Sequence, residues 1–215
     1  MKLLLRSAFA ALLLLPAWSC AAAEDEYQSG KHYLPVREPQ PTEDKTKIEV
    51  AEVFWYGCGH CYAFEPVLSK WLEHKPADVA FVRIPSSLGR DIGLVHSRAF
   101  YAAQLLGIGD KVHRPLFDAI HKEGKQMTSP DELRALFVSA GGVRAEDFDG
   151  AFTGFAVDSR VRIAEQELRD LGVSGTPTLL VERKWMITGA SAGSHDKMLK
   201  VADFLVQKAR AERKK

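Results

Sequence analysis

The chain is poor in cysteine, in net charge and in long apolar runs, and each shortage removes a class of protein. Three cysteines in 215 residues are too few for the spread disulfide framework that holds small exported scaffolds together. A formal net charge of +1 does not offer the concentrated basic surface that nucleic acids require. The basic run from Lys208 to Lys215 closes a predicted helix, where the dipole favours cations, and reads as a solvated tail. A spanning helix needs roughly 20 apolar residues. The apolar stretch near the start, Ala8 to Leu15, has only eight, so the processed chain is expected to be soluble.

What the first residues do carry is a secretory signal. Lys2 and Arg6 supply the positive start, Ala8 to Leu15 the apolar part, and Ala21-Ala22-Ala23 a small-residue cleavage site. Lipidation of Cys20 is the rival reading, and the bulky Trp18 just before it argues against that. Cleavage after Ala23 removes Cys20 and two positive charges, turning +1 into −1. Two cysteines then remain, Cys58 and Cys61. A disulfide across two intervening residues closes almost no loop and restrains the unfolded chain very little. The pair points to chemistry and not to scaffolding.

The run Ile48 to Tyr56 is apolar, β-branched and aromatic, as in a central strand covered on both faces. Gly57 ends it, a helix is expected from Cys58 to about Lys75 with a kink at Pro66, and Val79 to Ile84 reads as a second buried strand. A strand–helix–strand unit of this kind makes a parallel pair. Strand signals then vanish from about Asp91 to Leu171. Ile92, Val95, Ala99, Ala103 and Leu106 recur at helical spacing before Gly107. Val112, Leu116 and Ile120 suggest another helix, and Ser129-Pro130-Asp131-Glu132 opens a third with a capping box and a first-turn proline. That helix is expected to end at Gly141-Gly142. A longer one carries Val161, Ala164, Leu168 and Leu171 inward and stops at Gly172. Thr178 to Val181 and Trp185 to Thr188 read as a hairpin, and His195 to about Ala209 as a closing helix. The architecture is α/β with an all-helical insertion.

The motif is Phe54-Trp55-Tyr56-Gly57-Cys58-Gly59-His60-Cys61-Tyr62. A strand delivers Cys58 to the first turn of a helix, where free N–H groups and the dipole stabilise a thiolate. His60 can donate a hydrogen bond or place positive charge beside that thiolate. Cys61 sits one turn on and more sheltered. A zinc site would need a second ligand pair with suitable spacing; His113 and His121, within one helical stretch, do not supply it, so no metal is expected. Glu52 interrupts an apolar strand, so it is either turned to solvent or buried with a raised pKa, able to exchange a proton with Cys61. Glu65 reads as solvated or locally paired. His32, His74, His96, His113, His121 and His195 belong to no constellation and are expected at the surface or core edge.

The order of elements, the Trp-Tyr-Gly-Cys-Gly-His-Cys run and the later Gly175-Thr176-Pro177-Thr178 resemble the DsbA family of the thioredoxin superfamily, over the whole processed chain. The resemblance implies a thioredoxin fold with an inserted all-helical domain: residues 24–88 and 160–215 forming the thioredoxin-like part, 89–159 the insertion, and 1–23 the cleaved signal. It implies a redox-active Cys58–Cys61 disulfide, with Cys58 the exposed nucleophile, Cys61 its buried partner, Pro177 a cis-proline facing them and Glu52 the buried acid. Thr176 and Gly59 would border the substrate, with the Thr176 backbone N–H and C=O free for an extended peptide. No cofactor beyond the disulfide is expected. The implied activity is oxidation of reduced or unfolded exported proteins in the periplasm, with a DsbB-like membrane protein as reoxidant.

Two positions depart from the family's usual pattern. Proline commonly stands where Gly59 is, and valine where Thr176 is; both changes resemble disulfide isomerases of milder potential. Isomerase or reductase activity is therefore one alternative, and an inert peptide-binding module another. Only residues 24–47 precede the first core strand, too few for the separate dimerisation domain of DsbC-like isomerases, so a monomer is expected.

Overall fold

Seven consecutive buried residues, Ile48–Phe54, form the strand around which everything else is laid. The computed structural model describes residues 26–214; the expected signal segment and Cys20 lie outside the described residues. A short strand β1 (Leu34–Pro35) is followed by β2 (Ile48–Phe54), α1 (Gly59–His74) and β3 (Val79–Pro85). The helical block comprises α2 (Asp91–Leu105), α3 (Gly109–His121), α4 (Pro130–Leu136) with a π-turn over Phe137–Gly141, and α5 (Ala145–Thr153). The chain returns through α6 (Phe155–Leu171), β4 (Thr178–Val181), β5 (Trp185–Thr188), α7 (Gly189–Ala192) and α8 (His195–Arg213). The sheet order is β1-β5-β4-β2-β3, with β2 and β3 parallel and the other pairs antiparallel.

Alternation along β2 sends its side chains into two different layers. Ile48 and Val50 pack with Phe64 and Leu68 of α1 and with α8. Ala51 and Val53 pack with Ala164, Leu168 and Leu171 of α6 on the other face. Phe54 and Tyr56 enter a third cluster, built largely from the helical block and including Phe100, Phe117 and Cys61. The end of β2 that delivers the cysteines is thus clamped between sheet and insertion.

Several boundaries differ from expectation. β2 stops at Phe54, before the aromatic pair Trp55-Tyr56. β3 is the edge of the sheet, with its middle residues only partly covered, and not a second fully buried strand. Pro66 sits inside α1 without ending it. The longer helix expected to stop at Gly172 is α6, with Val161, Ala164, Leu168 and Leu171 buried, but a further helix that the sequence did not set apart, α5, precedes it and ends at Gly154, where the backbone is extended. Gly172 closes α6 in the left-handed region, as its place after Leu171 predicts. The capping box at Ser129 forms as expected, with the Glu132 N–H donating to Ser129 Oγ at 3.1 Å.

Candidate active site

The turn between β2 and α1 is held tightly. Cys58 N–H donates to the Trp55 carbonyl at 2.9 Å, and the Cys58 carbonyl accepts from Tyr62 N–H at 3.1 Å, so Cys58 is the N-cap of α1. A Cβ on Gly57 would lie 2.4 Å from the Trp55 ring, so any side chain there would force the indole to move. Gly59 is exposed and a Cβ there would meet nothing, so glycine is not sterically required at that position.

Cys58 is half-buried and Cys61 fully buried, and both are free thiols in this reduced form. The peptide bond between Thr176 and Pro177 is cis. Cys58 Sγ lies 3.4 Å from the Thr176 carbonyl, to which its thiol donates. Sequence reasoning left that carbonyl free for a substrate; here the thiol occupies it, and it becomes free once the sulfur carries no hydrogen. The Thr176 hydroxyl is buried and has no partner. The hydroxyl beside the sulfur is among the influences that lower the Cys58 pKa.

The two thiols are driven apart. A hydrogen bond from the Cys61 thiol is the largest influence holding Cys58 down, to about 5, against the opposing effect of burial. The Thr176 hydroxyl and the backbone N–H groups of Cys61 and His60 add to it. Burial pushes Cys61 strongly upward, and the neighbouring Cys58 and Glu52 add to this. The origin of the low Cys58 value differs in one respect from expectation. His60 contributes through its backbone N–H, while its ring is exposed and makes no hydrogen bond among the described residues.

Glu52 is buried, one of the two alternatives its place in the strand allowed. Burial lifts its carboxyl to about 8, with Arg83 pulling the other way. Arg83 Nε donates to Glu52 Oε2 at 3.1 Å, and Glu52 Oε1 has no partner. β3 brings Arg83 there by register, since Glu52 and Arg83 are paired across β2 and β3.

Four residues escaped the sequence reading. Glu65 is not solvated: it is 5% exposed, and its Oε1 accepts from Arg83 Nη2 at 3.4 Å and from His113 Nε2 at 3.3 Å. Burial works to raise its pKa, but His113 and Arg83 together hold it below the usual carboxylate range. His113 is likewise buried, with Nδ1 2.9 Å from the Tyr56 hydroxyl. Burial keeps it below the ordinary histidine value despite Glu65. His96 is also buried, not at the surface, and accepts from Trp55 Nε1 at 3.0 Å. The signal for His113 was its place on the apolar face of α3, three and four residues before Leu116 and Phe117. Nothing local in the sequence marked Arg83. A cleft of about 930 Å³ behind β3 is lined by Arg83 and His113 but by neither cysteine, so the network touches solvent space away from Cys58.

Comparison with known proteins agrees with this fold. Residues 49–195 match the family model described as a DSBA-like thioredoxin domain. The chain is 40% identical over 206 residues to the thiol:disulfide interchange protein DsbA of Pseudomonas aeruginosa, covering 96% of this chain and 97% of that one. It is 40% identical over 194 residues to the protein of the same name in Pseudomonas syringae, covering 90% of each. The crystal structure of Pseudomonas aeruginosa DsbA superposes with a TM-score of 0.83, at 40% identity and over 89% of this chain and 99% of that one.

Proposed function

From the premise that this chain belongs to the DSBA-like thioredoxin family, we propose that Cys58 and Cys61 carry its chemistry, as nucleophile and buried partner. The chain is a thiol:disulfide oxidoreductase with a thioredoxin fold and a helical insertion, and it introduces disulfides into other proteins. The isomerase, reductase and binding-module alternatives are not favoured.

The cycle starts from the Cys58–Cys61 disulfide. A substrate thiolate attacks Cys58 Sγ, a mixed disulfide forms, and Cys61 leaves. A second substrate thiolate then attacks the substrate sulfur of that mixed disulfide and expels Cys58 as a thiolate. The substrate loses two electrons and two protons; the enzyme gains the electrons as two reduced sulfurs. Cys61 departs into a buried site that disfavours its anion, so it needs a proton, and Glu52 beneath it is the donor. Cys58 departs as a stable anion and needs none. The observation that carries the reading is this opposite displacement, Cys58 down to about 5 and Cys61 upward. Thr176 and Pro177 border the sulfur and hold the extended substrate. No cofactor beyond the disulfide is needed.

Stabilising the reduced enzyme drives oxidation of the substrate. With Cys58 at about 5, ionisation at pH 7 contributes at most about 60 mV, less after solvent screening of a half-buried sulfur. The family's strongest oxidant has its nucleophile near about 3.5. We therefore read this couple as milder than that extreme, yet above about −200 mV against glutathione. The substrates are reduced, newly exported proteins in the periplasm, and a DsbB-like membrane protein regenerates the disulfide. The enzyme acts as a monomer: the segment before β2 is used within the fold, where β1 pairs with β5.

Oxidation of a reduced, unfolded substrate by the purified protein tests the assignment. Cys58→Ser is expected to abolish turnover, and full activity in that variant would overturn it.

A further inference from the structure

We propose that His113 is a positioning residue for the exchange chemistry: by donating to Glu65 from the helical insertion, it leaves Arg83 free to reach Glu52 beneath Cys61. The proposal rests on the reading of Glu52 as the acid that serves Cys61. What it adds is a residue of another structural layer that sets how that acid behaves.

The hydrogen-bond directions follow from the partners. The ionised Glu65 carboxylate only accepts, so the proton of the neutral imidazole is on Nε2, 3.3 Å from Glu65 Oε1. Nδ1 is then the acceptor, and the Tyr56 hydroxyl donates to it at 2.9 Å. A single oxygen, Glu65 Oε1, takes donors from both sides, His113 and Arg83 Nη2. Arg83 is shared in turn, its Nε on Glu52 Oε2 at 3.1 Å. The chain of contacts therefore runs Tyr56, His113, Glu65, Arg83, Glu52. His113, Glu65 and Arg83 each have a partner on both sides, and the chain ends on Glu52, whose Oε1 has none.

Removing the His113 donor leaves a buried carboxylate with one partner. An unsatisfied buried charge is far more costly than an unsatisfied neutral carboxyl. Arg83 therefore turns toward Glu65 and away from Glu52, and Glu52 holds its proton more tightly. The groups that face this pair are few. Around His113 they are Glu65 from α1, Tyr56 from the β2–α1 turn, Arg83 from β3 and Asp110 from its own helix. Around Glu52 they are Arg83, Glu65, Tyr56 and the two cysteines. None of the others replaces the lost donor.

The experiment follows the Glu52 side-chain carboxyl by ¹³C NMR of glutamate-labelled, reduced full-length protein across pH 5 to 10, in wild type, His113→Leu and His113→Gln. His113→Leu is expected to raise the Glu52 midpoint by about one pH unit. His113→Gln, whose amide can donate to Glu65 and accept from Tyr56, is expected to restore it. If His113→Leu does not fold, His113→Asn takes its place, since its shorter amide keeps a polar group but falls short of Glu65. A Glu52 curve unchanged in the Leu or Asn variant, moved downward, or equally displaced in the Gln variant overturns the proposal, whatever happens to thermal stability. A Glu52 that titrates like an ordinary carboxyl in wild type sinks the underlying reading and this proposal with it. That failure shows in the unmutated protein and is told apart from the others.

Discussion

Two glutamates three residues apart on β2 are both buried, and they have opposite fates. Glu49 turns to the α6 face, where Arg183 grips it with Nε at 2.7 Å and Nη2 at 3.4 Å and also binds Glu167. Both Glu49 oxygens are satisfied. Glu52 turns to the α1 face with one arginine bond, one bare oxygen and a pKa of about 8. The same strand thus uses one buried carboxylate to tie layers together and leaves the other short of partners. The short-changed acid titrates near neutrality. Beside the cysteines the shortage is doubled, because the Thr176 hydroxyl is also buried and unpartnered.

The largest effect should come from breaking the satisfied pair. Arg183→Met strands the Glu49 charge in the interior, which typically costs about 3–5 kcal/mol. Urea unfolding of the oxidised protein should show that loss, while exchange per folded molecule stays unchanged. An Arg183→Met protein as stable as wild type would mean that Glu49 is not held as an ion pair, and the contrast with Glu52 would dissolve.

Glu52→Gln tests the other half, and its sign is opposite. The folded protein holds the Glu52 proton up to about pH 8, whereas an unfolded glutamate releases it near about 4.3. Native wild type therefore loses stability as pH rises through that window, and the variant does not. Glu52→Gln should become progressively more stable than wild type between those limits, by at most about 1.4 kcal/mol per pH unit, and level off above the upper one. Its exchange should slow because Cys61 has lost its proton donor. A pH-independent stability difference would show that burial does not raise the Glu52 carboxyl.

The same contrast explains what could be read in advance. The Cys58/Cys61 motif, β2, the helix that follows it and the β4–β5 hairpin were legible because each is written in adjacent residues. Glu52 was legible as an anomaly, a charge inside an apolar strand, but its two possible fates were not resolved. That needed the β2–β3 register which sets Arg83 opposite it. Glu65 looked like a helix-surface residue because the surface it faces is covered by the insertion, through His113. The strand β1, two residues long, exists only because β5 is there to pair with it. The break at Gly154 had no proline to announce it. Local chemistry was visible; contacts between layers, which decide how buried charges are satisfied, were not.

The smallest effect concerns the second unpartnered oxygen. Three buried side-chain oxygens lack partners among the described residues: Glu52 Oε1, Thr176 Oγ1 and Ser97 Oγ. Only the first two border the cysteines; Ser97 lies in α2. If the bare Thr176 hydroxyl is held ready for the sulfur, Thr176→Val should raise the Cys58 pKa from about 5 by about one unit. Ser97→Ala should leave it in place. The thiolate absorbance of the reduced protein, followed against pH, reads both. A low Cys58 pKa stabilises the reduced fold, most fully above the unfolded cysteine value and less as pH falls through about 5. The valine variant should therefore narrow that window from its acid side and make the couple slightly less oxidising. Superimposed titrations for Thr176→Val and wild type would assign the low value to the Cys61 thiol and the backbone amides alone, leaving the hydroxyl as unpartnered and as idle as that of Ser97.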